Sequence, residues 1–535
     1  MTDSFSYYVS GKRAYFYGRL GGNSEGMGWH LKGRMGGFWL ENQRLFSSYN
    51  LSLRGNIIEP MDFRNAVAER LVEYPGVTFR IIAHPEDPVI AMKVEGQGDL
   101  SLSLKMENDR VWLEPVSVGS EIFQLCKQRS GTLLQRTVDG TPSYVNTTGD
   151  MHISNRQYLE ITSEKGFEVV LSKNRPCYQT YDALLSIRKE FNSRFLPTHD
   201  DSLGFWAHLN ALELFFERDC GAGFAAGIGE FPWWFGIDGV YTCLGLLETP
   251  LLDYVGRTID TLASFGNGLA PHEVTTAGKV CGKDRTNEII ALAYLALSYS
   301  KKTGKREYLE LVDVALNHLS RNQLRKAYPV GLGITEVPMS EKCSVLDAAC
   351  WLYSLLRELK SSSLVQELKN AQLATTLLET YERSFINDWM GNDGLFYDIL
   401  TRKKGSFEGH FIQIYPLAMG LVEKEQGSRL LNSIELHGYF EEDGMIHSLP
   451  LKTFASEDYG PGNKNTIIWS LPTVLAIEAG LRYGRRDLSE RFIASLDTAL
   501  RKDMYGAIPE ILPDDGCIAQ AWNAYVIPLL ERMNE

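Results

Sequence analysis

No apolar run in this sequence approaches the roughly 18 residues that a membrane-spanning helix requires; stretches such as IIALAYLALSY fall well short. The opening residues, MTDSFSYYVSGKRAYFYG, hold neither an apolar core nor a small-residue cleavage pattern, so no secretory leader is expected. Paired cysteines are missing as well. The eight are scattered without a C-x-x-C spacing, and only Cys343 and Cys350 stand close, on one helical pattern. That favours buried thiols in a reducing cytoplasm over a zinc site or a disulfide framework. Positive charge is in deficit: 54 Lys and Arg against 67 Asp and Glu leave a net charge of -13. A nucleic-acid partner or an anionic membrane surface would want the opposite balance. No coiled coil, low-complexity segment or fixed-length repeat is present. The glycine-rich GGNSEGMGWHLKG matches neither a Walker A loop nor a dinucleotide fingerprint, and is expected to be a loop between strands. No cofactor and no metal are implied, a neutral partner is compatible, and the oligomeric state is left unassigned.

What is present is a soluble-protein balance, 44% hydrophobic and 23% charged, over 535 residues, enough for two or three domains. The period changes partway along. Up to about residue 180 short alternating runs dominate. In DLSLSLKM, Leu100, Leu102, Leu104 and Met106 share one face, and turn signals such as HPEDP and DGTPS separate the runs. This predicts an antiparallel β-sandwich over 1–180. YDALLSIRKEFNSRF has a helical period and predicts a linker helix within 181–198. From 199 to 535 strands all but vanish. About twelve helical segments are expected, starting near Gly204, Gly239, Leu251, Arg285, Lys305, Ser344, Leu364, His410, Gln426, Asn465, Asp487 and Cys517.

These segments alternate. In KREYLELVDVALNHLS, Leu309, Val312, Leu316 and Leu319 form one stripe opposite Glu310, Asp313 and Asn317, whereas IIALAYLALSY, HFIQIYPLAMGLV and NTIIWSLPTVLAI are apolar nearly all round. A striped helix lies outside and an all-apolar one is buried. Alternation of outer and inner helices predicts a double ring of hairpins, an (α/α)6 barrel. The segments leading into the inner helices are long and rich in Gly, Trp, His, Asp and Glu, while the returns, such as KKTG and YGRR, are short. In such a barrel the long segments share one rim, where a site is expected.

On that rim FPWWFGIDGVY places Trp233 and Trp234 before an inner helix. At least one of them is expected to stack on a ligand, since an indole face suits the apolar side of a sugar ring; Trp469 and Trp522 are placed likewise. Asp238 is expected to bind sugar hydroxyls or to cap its helix.

Three segments, in order, are similar to one family: FPWWFGIDGVY, GKDRTNEIIALAYLALSYSKKTG and GAIPEILPDDGCIAQAWNAY. From about residue 200 to the end the chain resembles the glucosidase domain of glycogen-debranching enzymes and, more broadly, the six-hairpin glycosidases. The region before it is reminiscent of the β-domains that precede barrels in glucoamylases and glucodextranases. The resemblance implies an exo-acting, inverting glycoside hydrolase that releases glucose from an α-glucan or oligosaccharide, with α-1,6 or mixed linkages. Asp284 would be the general acid and Glu510 the general base, with no cofactor. Two carboxyls roughly 6.5–9.5 Å apart, one protonated and one activating water, suffice for this chemistry. Lys283, Arg285, His272, Glu336 and Gln520 join the tryptophans and Asp238 as substrate-binding expectations. His410 is a lesser one, and Glu341, Glu408 and Glu457 are rival carboxylates on the rim. The chain departs from the family in having Ile237 where the family has arginine, and it has no counterpart of the large transferase half of eukaryotic debranching enzymes. Trehalase, glucodextranase or mannosidase activity on the same scaffold, or a catalytically silent carbohydrate-binding protein, are the alternatives. Lys464, with Lys283 and Arg285, keeps a phosphorylase phosphate pocket open.

Overall fold

The computed structural model describes residues 5–28, 33–110, 121–128, 131–155, 157–282, 285–322, 324–325, 327–335, 343–401, 405–449, 467–502, 506–512 and 516–534. Asp284, Lys283, Glu336, Glu341, Glu457 and Lys464 lie outside the described residues.

The first region is one antiparallel sheet. Its spine is two long strands, Val89–Arg110 and Tyr158–Lys173, paired along most of their length. Val89–Arg110 pairs on its other edge with Val77–Ala83 over its first half and with Gln43–Leu53 over its second. The sheet therefore folds on itself rather than forming two sheets without shared hydrogen bonds. Its inner faces meet where Tyr49 stacks on Phe79, with centroids 4.7 Å apart. The alternation read from the sequence holds here: Leu100, Leu102 and Leu104 are all buried.

A linker helix, α1 (Tyr181–Phe195), begins at an N-cap Thr180 whose side chain accepts from the Ala183 N–H. Then come α2 (Leu203–Glu213), α3 (Gly236–Leu246), α4 (Leu252–Phe265), α5 (Thr286–Thr303), α6 (Leu309–Asn322), α7 (Leu346–Ser362), α8 (Ala371–Trp389), α9 (Tyr415–Ala418), α10 (Lys424–Leu436), α11 (Ser470–Tyr483), α12 (Arg486–Leu500) and α13 (Ile527–Asn534). Helix α3 packs on α5, α5 on α7, α7 on α9 and α9 on α11. Helix α11 packs on the 3-10 turn Ala521–Val526, and that turn packs back on α3. The apolar helices thus close a circle, with α4, α6, α8, α10 and α12 packed against its members from the other hairpin halves. None of the described helices is long and apolar enough to cross a membrane.

Three expectations need correction. Strands do not vanish after residue 199: Phe215–Arg218, Gly221–Ile228 and Phe231–Phe235 form an antiparallel sheet between α2 and α3, extended by Glu273–Val274 and Ala519–Gln520. Second, the segment from His410 is a 3-10 turn, Phe411–Ile414, followed by only the four residues of α9. Pro416 is tolerated only at the start of the helix, and Gly420 at φ +64 ends it. Third, α2 is buried almost all round rather than striped. The sheet region covers the side that an outer helix would show to water. Glu213 of α2 is held there by Arg70 of the sheet at 2.7 Å and by Arg188 of α1 at 2.9 Å.

Candidate active site

Three of the inner helices carry an acid in the first turn, Asp238 on α3, Glu288 on α5 and Asp347 on α7, whereas α9 and α11 carry none. The helix N-terminus favours negative charge at that place. Burial opposes it, because a carboxylate out of water loses its hydration. All three are buried, and so is Glu510, which precedes the turn Ala521–Val526.

Asp238 is the most telling of the four. It is not an N-cap; Phe235 holds that position and Asp238 lies in the first turn. Its Oδ1 accepts from Gln520 Nε2 at 2.8 Å, and among the described residues it forms no ion pair. Burial, with the nearby charges of Glu510 and Glu288, pushes its carboxyl up to about 8. It therefore holds its proton at neutral pH. Asp347 is pushed up to about 6 by burial, against the pull of backbone N–H donors, Ile334 at 2.9 Å among them, and of Arg285.

Glu510 is anchored by the chain around it. Its Oε2 accepts from the Cys517 N–H at 3.1 Å, and its backbone N–H donates to the Cys517 carbonyl at 2.8 Å. Gly516 allows this turn. Its φ is +71, and a Cβ there would meet Glu510 Oε2 at 2.7 Å. The Glu510 carbonyl also accepts from the Ser470 N–H at 2.9 Å, tying it to the start of α11.

Arg285, His272 and Glu288 form a chain. Arg285 Nη2 lies 3.0 Å from His272 Nε2, and His272 Nδ1 lies 2.9 Å from Glu288 Oε1. Arginine can only donate, so Nε2 accepts and Nδ1–H donates to Glu288. The imidazole is fixed as one neutral tautomer. Phe235 meets the same ring edge-on at 5.4 Å.

The tryptophans behave differently from the stacking platform expected. Trp233 and Trp234 occupy successive positions of the strand Phe231–Phe235, so they point to opposite faces. Trp233 is 0% exposed and joins the core of the sheet region. Trp234 is 1% exposed, joins the helical core, and donates from Nε1 to the Gly223 carbonyl at 3.0 Å. Neither ring has a face open to a ligand, because each is consumed by packing on its own side. Trp469 and Trp522 lie together in the helical core, 5.6 Å apart, each 4% exposed, and Trp522 Nε1 donates to Ser470 Oγ at 2.9 Å.

His410 lies in a buried cluster that reaches Trp469 through His447, whose ring is 4.6 Å from the indole. The Nδ1 of His410 is 3.0 Å from Ser448 Oγ, and burial lowers His410 to about 4. Neighbouring Asp398 accepts from the N–H groups of Glu408, Gly409 and His410, and burial raises it to about 7. Glu408 is half-buried beside this turn. Among the described residues no group of three or more His, Cys, Asp or Glu side chains is arranged to hold a metal ion.

Sequence reasoning passed over Glu288 and Asp347. Glu288 was legible only as part of a helix start, RTNE. The signal that finds both is a carboxylate in the first turn of a helix whose next two turns are apolar, which only a compensating site makes tolerable.

No protein family and no curated protein matches the chain. Among solved structures, it is similar to a bacterial glucoamylase complexed with acarbose, at a TM-score of 0.70 and 10% identity, over 100% of this chain and 94% of that one. A wild-type glycosidase matches 63% of this chain and 99% of its own at 15% identity and a TM-score of 0.48. A glycosidase variant in complex with glucose matches the same shares at 14% and 0.49. These two overlaps are too loose to carry an argument. The first establishes a shared fold, an antiparallel sheet region followed by a helical one.

Proposed function

We propose that the chain is an inverting, exo-acting glycoside hydrolase that releases glucose from an α-glucan or oligosaccharide, with α-1,6 or mixed linkages. In this reading the folded sheet is a β-sandwich over 1–180, α1 is the linker, and the circle of apolar helices is the inner ring of an (α/α)6 barrel over 199–535. The observation that carries the reading is the pairing of Asp238 with Glu510. Two buried carboxyls share one rim, and their surroundings hold one protonated while backbone donors hold the other in place. A buried carboxyl held in place by a backbone donor suits a general base, and a protonated acid beside it suits the hydrogen bonding of a sugar hydroxyl, while the proton for the leaving oxygen comes from elsewhere on the rim.

Glu510 acts as the general base, drawing a proton from the attacking water, and Asp284 as the general acid toward the leaving oxygen. Protonated Asp238 donates to a hydroxyl of the terminal sugar, and Gln520 orients it. Arg285, held by His272 and Glu288, supplies the cationic donor that Ile237 cannot. Trp469 and Trp522 wall the floor beneath them, and Lys283 and Glu336 are further substrate-binding residues in this reading. A glucan-acting relative of fold, the glucoamylase bound to acarbose, supports the substrate class.

The test is a release assay on maltose, isomaltose, panose, trehalose and limit dextrin, with the product anomer followed by proton NMR. Initial β-glucose from an α-linked substrate is expected, falling about 10²–10⁴-fold in Glu510→Gln and in Asp284→Asn. Folded protein that binds glucans but releases nothing would refute the hydrolase. Initial α-glucose would refute inversion.

A further inference from the structure

The circle of inner helices has a second mouth. The candidate active site lies at their N-terminal ends; at their C-terminal halves a cavity of about 330 Å³ opens among α3, α5, α7, α9, α11 and the turn Ala521–Val526. Its walls include Tyr294 and Tyr525, both half-buried, over a floor of Tyr241 and Trp351. Trp351 packs 5.5 Å from both Tyr241 and Tyr294. This size and an aromatic lining with a few polar groups suit a small ligand.

Two polar groups in the wall await a partner. Trp351 is 2% exposed and Ser354 9% exposed, and among the described residues neither Trp351 Nε1 nor Ser354 Oγ has a hydrogen-bond partner. A buried indole N–H can only donate, so it asks for an acceptor. At the mouth, two guanidinium groups converge on Gly420. Arg357 Nη1 donates to its carbonyl, and a Cβ on Gly420 would meet Arg482 Nη1 at 2.7 Å. Arg482 shares the single carboxylate of Glu478 with Arg532, each at 2.7 Å. Arg357 has no carboxylate partner among the described residues, and Glu358 is taken by Lys301. Completing a helix end accounts for Arg482, in the last turn of α11. Arg357 stands more than a turn before the end of α7, and its partners are the Gly420 carbonyl and the ring of Tyr353, 5.8 Å away, so its charge is left uncompensated by a carboxylate among the described residues. In a chain of net charge -13, an aromatic cup with surplus donors and two clustered guanidiniums is made for an anion on a hydroxylated body.

We propose that this cavity is a second ligand site that binds a phosphorylated hexose. The phosphate sits between Arg357 and Arg482, the ring lies against Tyr294 and Tyr525, and ring oxygens reach Ser354 Oγ and Trp351 Nε1. Glu510 is not among the residues that line the cavity, and the proposal stands whether or not the chain hydrolyses glucans.

Isothermal titration of the full chain with glucose 6-phosphate, glucose and inorganic phosphate tests it. Glucose 6-phosphate is expected to bind, inorganic phosphate more weakly, and glucose more weakly still. Arg357→Gln should weaken glucose 6-phosphate about tenfold or more, the loss of a charge-assisted bond. Arg357 is exposed, forms no ion pair among the described residues, and donates only to the Gly420 carbonyl, a bond that a Gln amide can also make, so this variant should fold as the parent does. Arg357→Lys should recover part of the loss, and Trp351→Phe, which keeps the ring and removes the N–H, should weaken binding several-fold. Glu510→Gln should bind as the parent does. No binding of glucose 6-phosphate, equal binding by Arg357→Gln, or loss in Glu510→Gln would overturn the site. Inorganic phosphate binding as tightly as the sugar phosphate would overturn the hexose.

Discussion

Glu213 and Asp238 are both acids buried near the middle of the molecule, and they are compensated in opposite ways. Glu213, 1% exposed, has a guanidinium on each oxygen, Arg70 on one and Arg188 on the other. Asp238, 6% exposed, has an amide donor from Gln520 and two acids as neighbours. The first arrangement joins three parts of the chain: the sheet, the linker helix and α2. The second keeps a proton where a carboxylate would otherwise be, which is of no use to stability and of use to chemistry. Burial alone does not distinguish a structural acid from a functional one; the charge placed opposite it does.

The largest effect that sharpens this contrast is at Glu213. Glu213→Ala leaves Arg70 and Arg188 buried with no counter-charge between them, and should cost about 3–5 kcal/mol of stability in denaturant unfolding. Glu213→Gln should cost less but still destabilise, since it keeps the shape and loses the charge. The same isosteric change at Asp238 should not destabilise at neutral pH. If Glu213→Gln and Asp238→Asn cost the same at pH 7, the contrast fails.

The next effect is in pH. An unfolded Asp titrates near 3.9, and folded Asp238 at about 8. The folded state therefore binds more protons between those values, and the stability contributed by this group falls as pH rises from about 4 to about 8. Asp347, raised to about 6, adds the same trend over a narrower window. Asp238→Asn removes the larger part. Its stability relative to the parent should rise steadily between pH 5 and pH 8, as read by denaturant midpoints at each pH. A flat difference would mean that Asp238 is ionised throughout.

Much of this was legible beforehand, and the reasons for the remainder are physical. Period alone separated the sheet region from the helices, because Leu100, Leu102 and Leu104 alternate while Leu309, Val312, Leu316 and Leu319 recur at helical spacing. Inner and outer helices were legible from charge content. Hidden were features set by contacts across the chain. The strand Phe231–Phe235 looks like an aromatic loop until Gly221–Ile228 pairs with it. The stripe missing from α2 makes sense only once the sheet covers it. Glu288 read as a helix-start residue because its partner, His272, lies in a different loop. Carboxylates at the heads of apolar helix segments were visible in the sequence, and the structure buries all three of Asp238, Glu288 and Asp347.

The smallest effect concerns those tryptophans, and it separates two meanings of a conspicuous aromatic pair. Trp234→Phe keeps most of the buried ring and deletes the bond to the Gly223 carbonyl. That should cost about 1 kcal/mol, the worth of one hydrogen bond, with some added cost for the shrunken ring. Trp233→Phe, on the sheet side of the same strand, should cost a similar amount through packing. Neither change should alter KM on the best glucan of the release assay, because a ring with no open face makes no contact for a substrate to lose. A several-fold rise in KM for Trp234→Phe alone, with stability unchanged, would place its face in the site after all. It would also mean that the strand Phe231–Phe235 moves when substrate binds.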